Sequence, residues 1–342
     1  MVIKALDQYV SGMAAIYQGD SCEVLKGIPD NSIDYAIYSP PFASLYTYSN
    51  SDRDLGNCRS REEFFEHYRF VAKELFRVLK PGRNLSFHCM NLPSTKERDG
   101  FIGIHDFRGE LIRAHGGEDA MGLYRSIATF RARADMAEQL NDLKRASDLR
   151  HACDTMESDL MKFGPEMEFI FHSEVCIWKD PVTAMQRTKA IGLLYKQLRK
   201  DSCISRQGIP DYLVTMRKPG ENPNRVTKTH ESFPVGKWQN YASPVWMDIN
   251  PSDTLQKESA RENNDERHIC PLQLQVIERG IELWTNPGDV VFSPFAGIGS
   301  EGYRAIQMGR KFVGCELKES YFKQACLNLA AAQQSQENLL LK

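Results

Sequence analysis

Residues 286–321 read NPGDVVFSPFAGIGSEGYRAIQMGRKFVGCELKESY, and the fold turns on this stretch. A turn (NPGD) leads into a short apolar strand (VVFS), a glycine-rich loop, a helix-favouring run and a second strand (RKFVGCE). Gly297, Gly299 and Gly302 make a full G-x-G-x-x-G that follows a strand and opens a helix, the context in which the motif carries weight. Glycines let the backbone approach a nucleotide-like ligand at the carboxyl end of a strand. Glu316 closes the next strand, nineteen residues after Gly297, where a carboxylate accepts hydrogen bonds from both hydroxyls of a ribose. A cofactor carrying adenosine is implied. A conventional dinucleotide domain needs more strands after this loop, yet forty residues follow Gly302. The N-terminal half must complete the sheet, which gives a permuted order.

Working outward, residues 19–42 read GDSCEVLKGIPDNSIDYAIYSPPF, with a strand (IDYAIY) that ends at Ser39-Pro40-Pro41-Phe42. Open α/β sheets place their ligands at such strand ends. Two consecutive prolines fix φ and remove two N–H donors, leaving a rigid turn rich in acceptors. The Ser39 hydroxyl and the Pro40 carbonyl are suited to accept from one amino group, and Phe42 offers a face for a base.

The rest of the chain supports an α/β reading. The run at 64–79 has helical period and is followed by the strand candidate NLSFHCM. Residues 114–166 are a charged, helix-favouring stretch that reads as an inserted helical hairpin. Two strand candidates, 168–180 and 211–219, flank a loop too long for a tight turn. Residues 219–262 lack periodicity; within them Trp246 reads as core. The expected organisation is a catalytic half (1–113), the insertion (114–166), a continuation of the sheet with a long basic loop (167–218), a target-recognition module (219–262) and a cofactor-binding half (263–342).

The 342 residues are 42% hydrophobic and 26% charged, with a net charge of -2, a composition that excludes disordered and fibrous classes. Overall charge gives no sign of a nucleic-acid partner, so any basic surface is local. Nine cysteines are scattered without C-x-x-C spacing, which argues for free thiols in a reducing cytosol and against a zinc site or disulfide framework. No run approaches the ~18 apolar residues of a membrane span, and no signal peptide is visible.

Together the two blocks resemble the S-adenosylmethionine-dependent DNA amino methyltransferases, in the circularly permuted class whose catalytic tetrapeptide precedes its F-x-G-x-G loop. The likeness covers roughly residues 15–110, 167–220 and 265–332. It implies a Rossmann-like methyltransferase sheet and a catalytic site at Ser39, Pro40, Pro41 and Phe42. The cofactor S-adenosylmethionine would be held by Asp20, Phe295, Ala296, Gly297, Gly299, Ser300 and Glu316, with His268 and Pro271 standing in the preceding motif. Three positions depart from the family pattern: Ser293 replaces an Asp, Ile298-Gly299-Ser300 replaces Ser-Gly-Thr, and the segment after His268 lacks a Lys. Ser at the head of the tetrapeptide goes with N4 of cytosine in that family and Asp with N6 of adenine, with exceptions both ways. N4-cytosine is favoured and N6-adenine is the alternative. Ring-carbon methylation would require a Pro-Cys dipeptide, and none occurs. Reaching such a pocket requires the base to leave the stack.

Between Lys179 and Lys237 twelve cationic residues face five acidic ones, whereas 114–166 holds seven against ten. Phosphate contact is expected from Arg187, Lys189, Lys196, Arg199, Lys200 and Arg206 on the long loop. Arg225, Gln239 and Asn240, with Asn222 and Asn224, carry the side chains that read base edges. The expected partner is double-stranded DNA, without a membrane or a metal, in the cytoplasm of a prokaryote or its phage and associated with the nucleoid. A homodimer and a cognate restriction nuclease are open additions. Two rival classes remain at this point, a nicotinamide-dependent oxidoreductase and a DNA-binding protein without catalysis.

Overall fold

A computed structural model of the chain describes residues 3–42, 58, 60–94, 96–116, 119–163, 169–182, 195, 199–204, 207–255 and 271–340. Its first half holds β1 (Asp7–Ser11), β2 (Ala14–Gln18), α1 (Ser21–Leu25), β3 (Ile33–Tyr38), α2 (Arg61–Val78), β4 (Leu79–Met90), β5 (Leu92–Ser94), α3 (Lys96–Asp99), β6 (Gly103–His105), α4 (Phe107–Ala114), α5 (Asp119–Gln139) and α6 (Leu143–Phe163). The second half adds β7 (Ile170–Ile177), β8 (Asp211–Arg217), α7 (Val235–Tyr241), β9 (Val245–Trp246), α8 (Leu274–Trp284), β10 (Val290–Ser293), α9 (Ser300–Gln307), β11 (Lys311–Glu316) and α10 (Glu319–Leu340).

Among the described residues one nine-stranded sheet runs β1-β2-β11-β10-β3-β4-β8-β7-β9. The five strands β2, β11, β10, β3 and β4 are parallel. β8 is antiparallel to both β4 and β7, so β7 again points with the central five. β10 and β11 lie between β2 and β3. β1, an antiparallel edge strand before β2, escaped the sequence reading because its residues are mostly exposed and show no buried face.

β3 is buried at every position, as a central strand covered on both faces must be. Its side chains alternate between two cores. Ala36 and Tyr38 face the cluster built by Val24, Leu25, Phe64, Tyr68, Leu75 and Phe107, while Tyr35 and Ile37 face Ile277, Ile281, Ala305, Ile306 and Leu329. The first cluster belongs to α1, α2 and α4; the second to α8, α9 and α10. α2 begins where Ser60 accepts from the Glu63 amide at 3.2 Å, a side-chain cap with acids in the first turn.

α5 and α6 form a helical hairpin. Ile127, Ala134, Ala137, Ala146 and Cys153 are buried along α5 and α6, which turn at Asn141 with φ 62°. A bridge between Gly116 and Phe169 pins its base, next to the start of β7 and so at the amino end of the parallel strands. Residues 219–255 do not form a separate body. β9 extends the sheet beside β7, and Trp246, 1% exposed, joins the sheet's own core. Trp238 is 54% exposed.

Candidate active site

β3 and β10 are parallel neighbours, with Val291 opposite Tyr35 and Phe292 opposite Ala36. Their carboxyl ends therefore deliver Ser39-Pro40-Pro41-Phe42 and Pro294-Phe295-Ala296-Gly297 to one place. Pro40 is buried, and Ser39, Pro41 and Phe42 are partly exposed. The Phe42 ring lies 6.2 Å from that of Phe107.

The glycine loop is held from three sides. Ala296 N donates to the Cys315 carbonyl at 2.8 Å, the Gly297 amide donates to Glu316 Oε2 at 2.8 Å, and Asn328 Nδ2 on α10 donates to the Ile298 carbonyl at 2.8 Å. Gly297 and Gly299 have φ of 52° and 83°, a region that side chains rarely enter. A Cβ at Gly297 would meet no atom within 4 Å, so the loop opens there onto free room; at Gly302 it would strike Phe312 Cδ1 at 2.4 Å and Leu329 Cδ2 at 2.5 Å. One glycine borders open room, the other lets a helix close against a strand. Ser300, 3% exposed, opens α9.

Glu316 is already at work in the loop. Oε2 takes the Gly297 amide and Oε1 takes the Lys318 amide at 2.8 Å, and a carboxylate has capacity for further donors. Asp20 stands close by, because the Gly19 amide donates to the Glu316 carbonyl at 2.9 Å. Its carboxylate caps α1 through Cys22 N at 2.8 Å and Glu23 N at 3.2 Å, and the Ser21 hydroxyl donates to the Pro294 carbonyl. The room at Gly297, flanked by two carboxylates that can accept from hydroxyl or amino groups, fits an adenosine-bearing ligand.

Several residues that the sequence reading passed over hold the two loops in register. The His115 ring donates from Nδ1 to the Leu111 carbonyl at 2.7 Å, so Nε2 accepts from the Tyr38 hydroxyl at 2.9 Å, which in turn takes the Tyr68 hydroxyl at 3.0 Å. Phe295 lies against both tyrosines, 5.9 Å from Tyr38 and stacked 6.4 Å from Tyr68. Burial pushes His115 down to about 4, which keeps it neutral and this direction of donation fixed. The available signal was a row of polar atoms on otherwise apolar elements.

A second chain runs through His88, Asp211 and Lys179. Ser39 Oγ is 3.2 Å from His88 Nδ1, His88 Nε2 is 3.0 Å from Asp211 Oδ2, and Asp211 Oδ1 takes Lys179 Nζ. His88 and Asp211 are buried, at 8% and 2% exposure. Burial works to raise the Asp211 carboxyl, but the attraction of His88 and Lys179 outweighs it and holds the group below the usual carboxylate range.

Glu301 carries a testable consequence for stability. It lies in the first turn of α9 at 4% exposure, and burial pushes its carboxyl up to about 8 from an ordinary 4.5. The folded chain then binds more protons than the unfolded chain across that window, so stability falls as pH rises from about 4.5 to about 8. Glu301→Gln is expected to remove the loss, gaining on the order of 3 kcal/mol at pH 8.5 relative to pH 5. Urea titrations of both proteins at the two pH values measure it, and parallel pH dependences would refute it.

The predicted DNA-contact residues fall in different places. The long loop leaves β7 and rejoins β8 at the carboxyl end of the sheet, and Arg199 and Lys200 on it are exposed. Arg187, Lys189, Lys196 and Arg206 lie outside the described residues, as does His268. Pro271 is partly exposed just ahead of α8. Arg225 is on the other side: its carbonyl accepts from Asn286 Nδ2 at 3.0 Å and Asn224 Nδ2 reaches Asp289 at 3.5 Å, so this segment runs past the amino end of β10, away from Ser39. Gln239 and Asn240 are exposed on α7, which is tied to α8 through Lys237–Glu282 at 2.6 Å. Among the described residues no His/Cys/Asp/Glu group is arranged to hold a metal, no helix is long and apolar enough to cross a membrane, and the eight described cysteines form no disulfide.

With this geometry in place, comparisons with known proteins become informative. The family profile for DNA methylase, covering N6 and N4 methyltransferases, matches residues 33–326. A DNA adenine methyltransferase of Escherichia coli is 39% identical over 317 residues, covering 93% of this chain and 83% of that protein. The Type II methyltransferase M.BglII of Bacillus subtilis is 23% identical over 90% of this chain, which spans 66% of that protein's length. The fold is shared with a putative DNA modification methylase of Thermus thermophilus solved with S-adenosylmethionine, with a TM-score of 0.56, 19% identity and coverage of 93% of this chain and 95% of that one. It is shared as well with the cytosine-N4-specific PvuII DNA methyltransferase, at a TM-score of 0.53, 14% identity and coverage of 96% and 94%. The chain belongs to the DNA methylase family whose members modify amino groups at N6 or N4.

Proposed function

We propose that this chain transfers a methyl group from S-adenosylmethionine to N4 of cytosine in DNA. The observation that carries the reading is the delivery of Ser39-Pro40-Pro41-Phe42 and the glycine loop to one end of the sheet by the parallel pair β3 and β10. S-adenosylmethionine, when bound, supplies a methyl group activated by its sulfonium. Gly297, Gly299, Phe295, Ala296, Ser300, Glu316 and Asp20 hold it in this reading, and Pro271 and His268 are assigned to it from the sequence motif alone.

The chain's own contribution concerns the amino group. Conjugation into the base ring delocalises the nitrogen lone pair and makes it a poor nucleophile. Hydrogen bonds from the amino protons to Ser39 Oγ and the Pro40 carbonyl localise that pair and stabilise the positive charge that grows on nitrogen, a preorganised electrostatic effect. Phe42 stacks on the base after it leaves the duplex. Arg199 and Lys200, exposed toward the carboxyl end of the sheet, hold phosphates, and Arg187, Lys189, Lys196 and Arg206 are assigned the same task from their charge in the sequence alone.

Phe42→Ala is expected to reduce transfer about ten- to hundredfold, from the ~1–3 kcal/mol that base–aromatic stacking contributes, with cofactor affinity unchanged. Single-turnover transfer of labelled methyl and a cofactor titration measure the two quantities. Full activity in the variant would refute the stacking role.

A second reading, N6 of adenine, is favoured by the 39% identity to the Escherichia coli adenine methyltransferase. Unmethylated genomic DNA treated with the protein and S-adenosylmethionine, digested to nucleosides and analysed by mass spectrometry separates the two. N4-methylcytosine supports the reading of Ser39; N6-methyladenine shows that the first tetrapeptide residue does not set the base. Resistance of the treated DNA to restriction nucleases tests a restriction–modification role.

A further inference from the structure

The chain of groups behind Ser39 belongs to no motif read in the sequence, and it decides which way the serine hydroxyl points. A hydroxyl has one hydrogen and two lone pairs. To accept an amino proton from a base, Ser39 must send its own hydrogen elsewhere. The neighbour available for it is His88 Nδ1, at 3.2 Å.

What Nδ1 does depends on the other face of the ring. His88 Nε2 is 3.0 Å from Asp211 Oδ2, and an ionised carboxylate can only accept. Asp211 is anchored in turn by Lys179 on its second oxygen. A ring that turns an Nε2 hydrogen toward Asp211 and carries no second one leaves Nδ1 as an acceptor. Three separate strand ends supply the parts: Ser39 follows β3, His88 lies in β4 and Asp211 opens β8. Since β4 is hydrogen-bonded to both neighbours, the imidazole sits between fixed walls.

We propose that His88 is a positioning residue of the methyl-transfer site: held in its Nε2–H tautomer by Asp211, it takes the hydrogen of Ser39 and so turns both lone pairs of Ser39 toward the target amino group. The inference rests on the assignment of Ser39 to that amino group. It also accounts for a buried polar side chain in the apolar strand NLSFHCM, a placement that costs stability unless the group is partnered.

The test compares His88→Leu, which removes the acceptor at similar volume, with His88→Asn, whose Oδ1 can accept near the position of Nδ1. His88→Leu is expected to lower kcat about thirtyfold, within the hundredfold that a misplaced catalytic group costs, while the KM for DNA and the affinity for S-adenosylmethionine stay within about twofold. His88→Asn is expected to recover kcat to within about threefold. Nitrogen-15 shifts of the His88 ring in the free protein are expected to show hydrogen on Nε2 and a bare Nδ1. In Asp211→Asn that pattern is expected to become mixed, since an amide can donate or accept.

Ser39→Ala separates this proposal from the reading beneath it. A large loss in Ser39→Ala, with no further loss when His88→Leu is added, supports both. Loss in Ser39→Ala with full kcat in His88→Leu overturns the positioning role alone. Equal damage in His88→Leu and His88→Asn, additivity with Ser39→Ala, or a ring carrying its hydrogen on Nδ1 overturns it too. Full activity in Ser39→Ala overturns the underlying assignment.

Discussion

Gly297→Asp is expected to weaken S-adenosylmethionine binding at least ~100-fold while the fold survives. The Gly297 amide donates to Glu316 Oε2 at 2.8 Å, and a Cβ placed on this residue meets nothing within 4 Å. The new side chain would occupy the room that the loop leaves free and would set a second carboxylate close to Glu316. Its φ of 52° is one that Asp tolerates better than most side chains, which limits the backbone cost to about 1–2 kcal/mol. Gly302→Ala is the contrasting control. There the added Cβ falls within 2.6 Å of Phe312 and Leu329, so the damage is to the packing of α9 and appears in the melting temperature. Calorimetric titration with the cofactor, together with thermal melts of both variants, makes the comparison. Native cofactor affinity in Gly297→Asp would place the cofactor elsewhere on the protein.

The contrast between Gly297 and Gly302 marks the limit of what the sequence disclosed. Strand-loop-helix context identified the loop, and in the sheet β10 and β11 lie between the earlier strands β2 and β3. Period-2 and period-3.6 patterns then located β2, β3, α2, β8 and α8, because each buries a face, whereas β7, exposed over its first four residues, buries no such face. Pattern could not show which side of the sheet a polar segment follows. Arg225, assigned with Gln239 and Asn240 to the reading of base edges, runs past the amino end of β10, where Asn286 holds its carbonyl and Asp289 holds Asn224, whereas Arg199 and Lys200 lie on the loop at the carboxyl end of the sheet. Charge density along the chain does not record that a strand has intervened.

The same blindness applied to the groups behind the motifs. His88 reaches Asp211, and Tyr68 and His115 reach Tyr38, only because β3, β4, β8, α2 and α4, which His115 caps, pack in this order. No spacing in a single sequence encodes the 3.2 Å approach of His88 to Ser39. What was available was a weaker sign: a histidine in an apolar strand and an aspartate opening another, each needing a partner when buried. The motifs disclosed the surface of the site, and the packing disclosed its support.

Arg83→Met is expected to cost about 3–5 kcal/mol of stability, because it would leave two buried carboxylates without their shared cation. Arg83 lies in β4 at 2% exposure; Nη2 is 3.0 Å from Asp34 Oδ1 and Nη1 is 3.0 Å from Asp289 Oδ2. Asp34 belongs to β3, and its other oxygen accepts the Val290 amide at 2.9 Å; Asp289 immediately precedes β10. One guanidinium thus fastens β4, β3 and β10 at their amino ends. This matters for the site because β3 and β10 are more than 250 residues apart in sequence, and their short pairing together with this cluster helps set the offset between the tetrapeptide and the glycine loop. Lys80, 2.7 Å from Asp34, can offset one carboxylate but does not replace the cation facing Asp289. Urea denaturation of Arg83→Met is expected to show the full loss, and a triple variant that adds Asp34→Asn and Asp289→Asn is expected to recover most of it, since the uncompensated charge is what destabilises. A loss below about 1 kcal/mol in the single variant, or no recovery in the triple, would show that the strands are registered by their backbone pairing alone and that the buried cation is incidental to it.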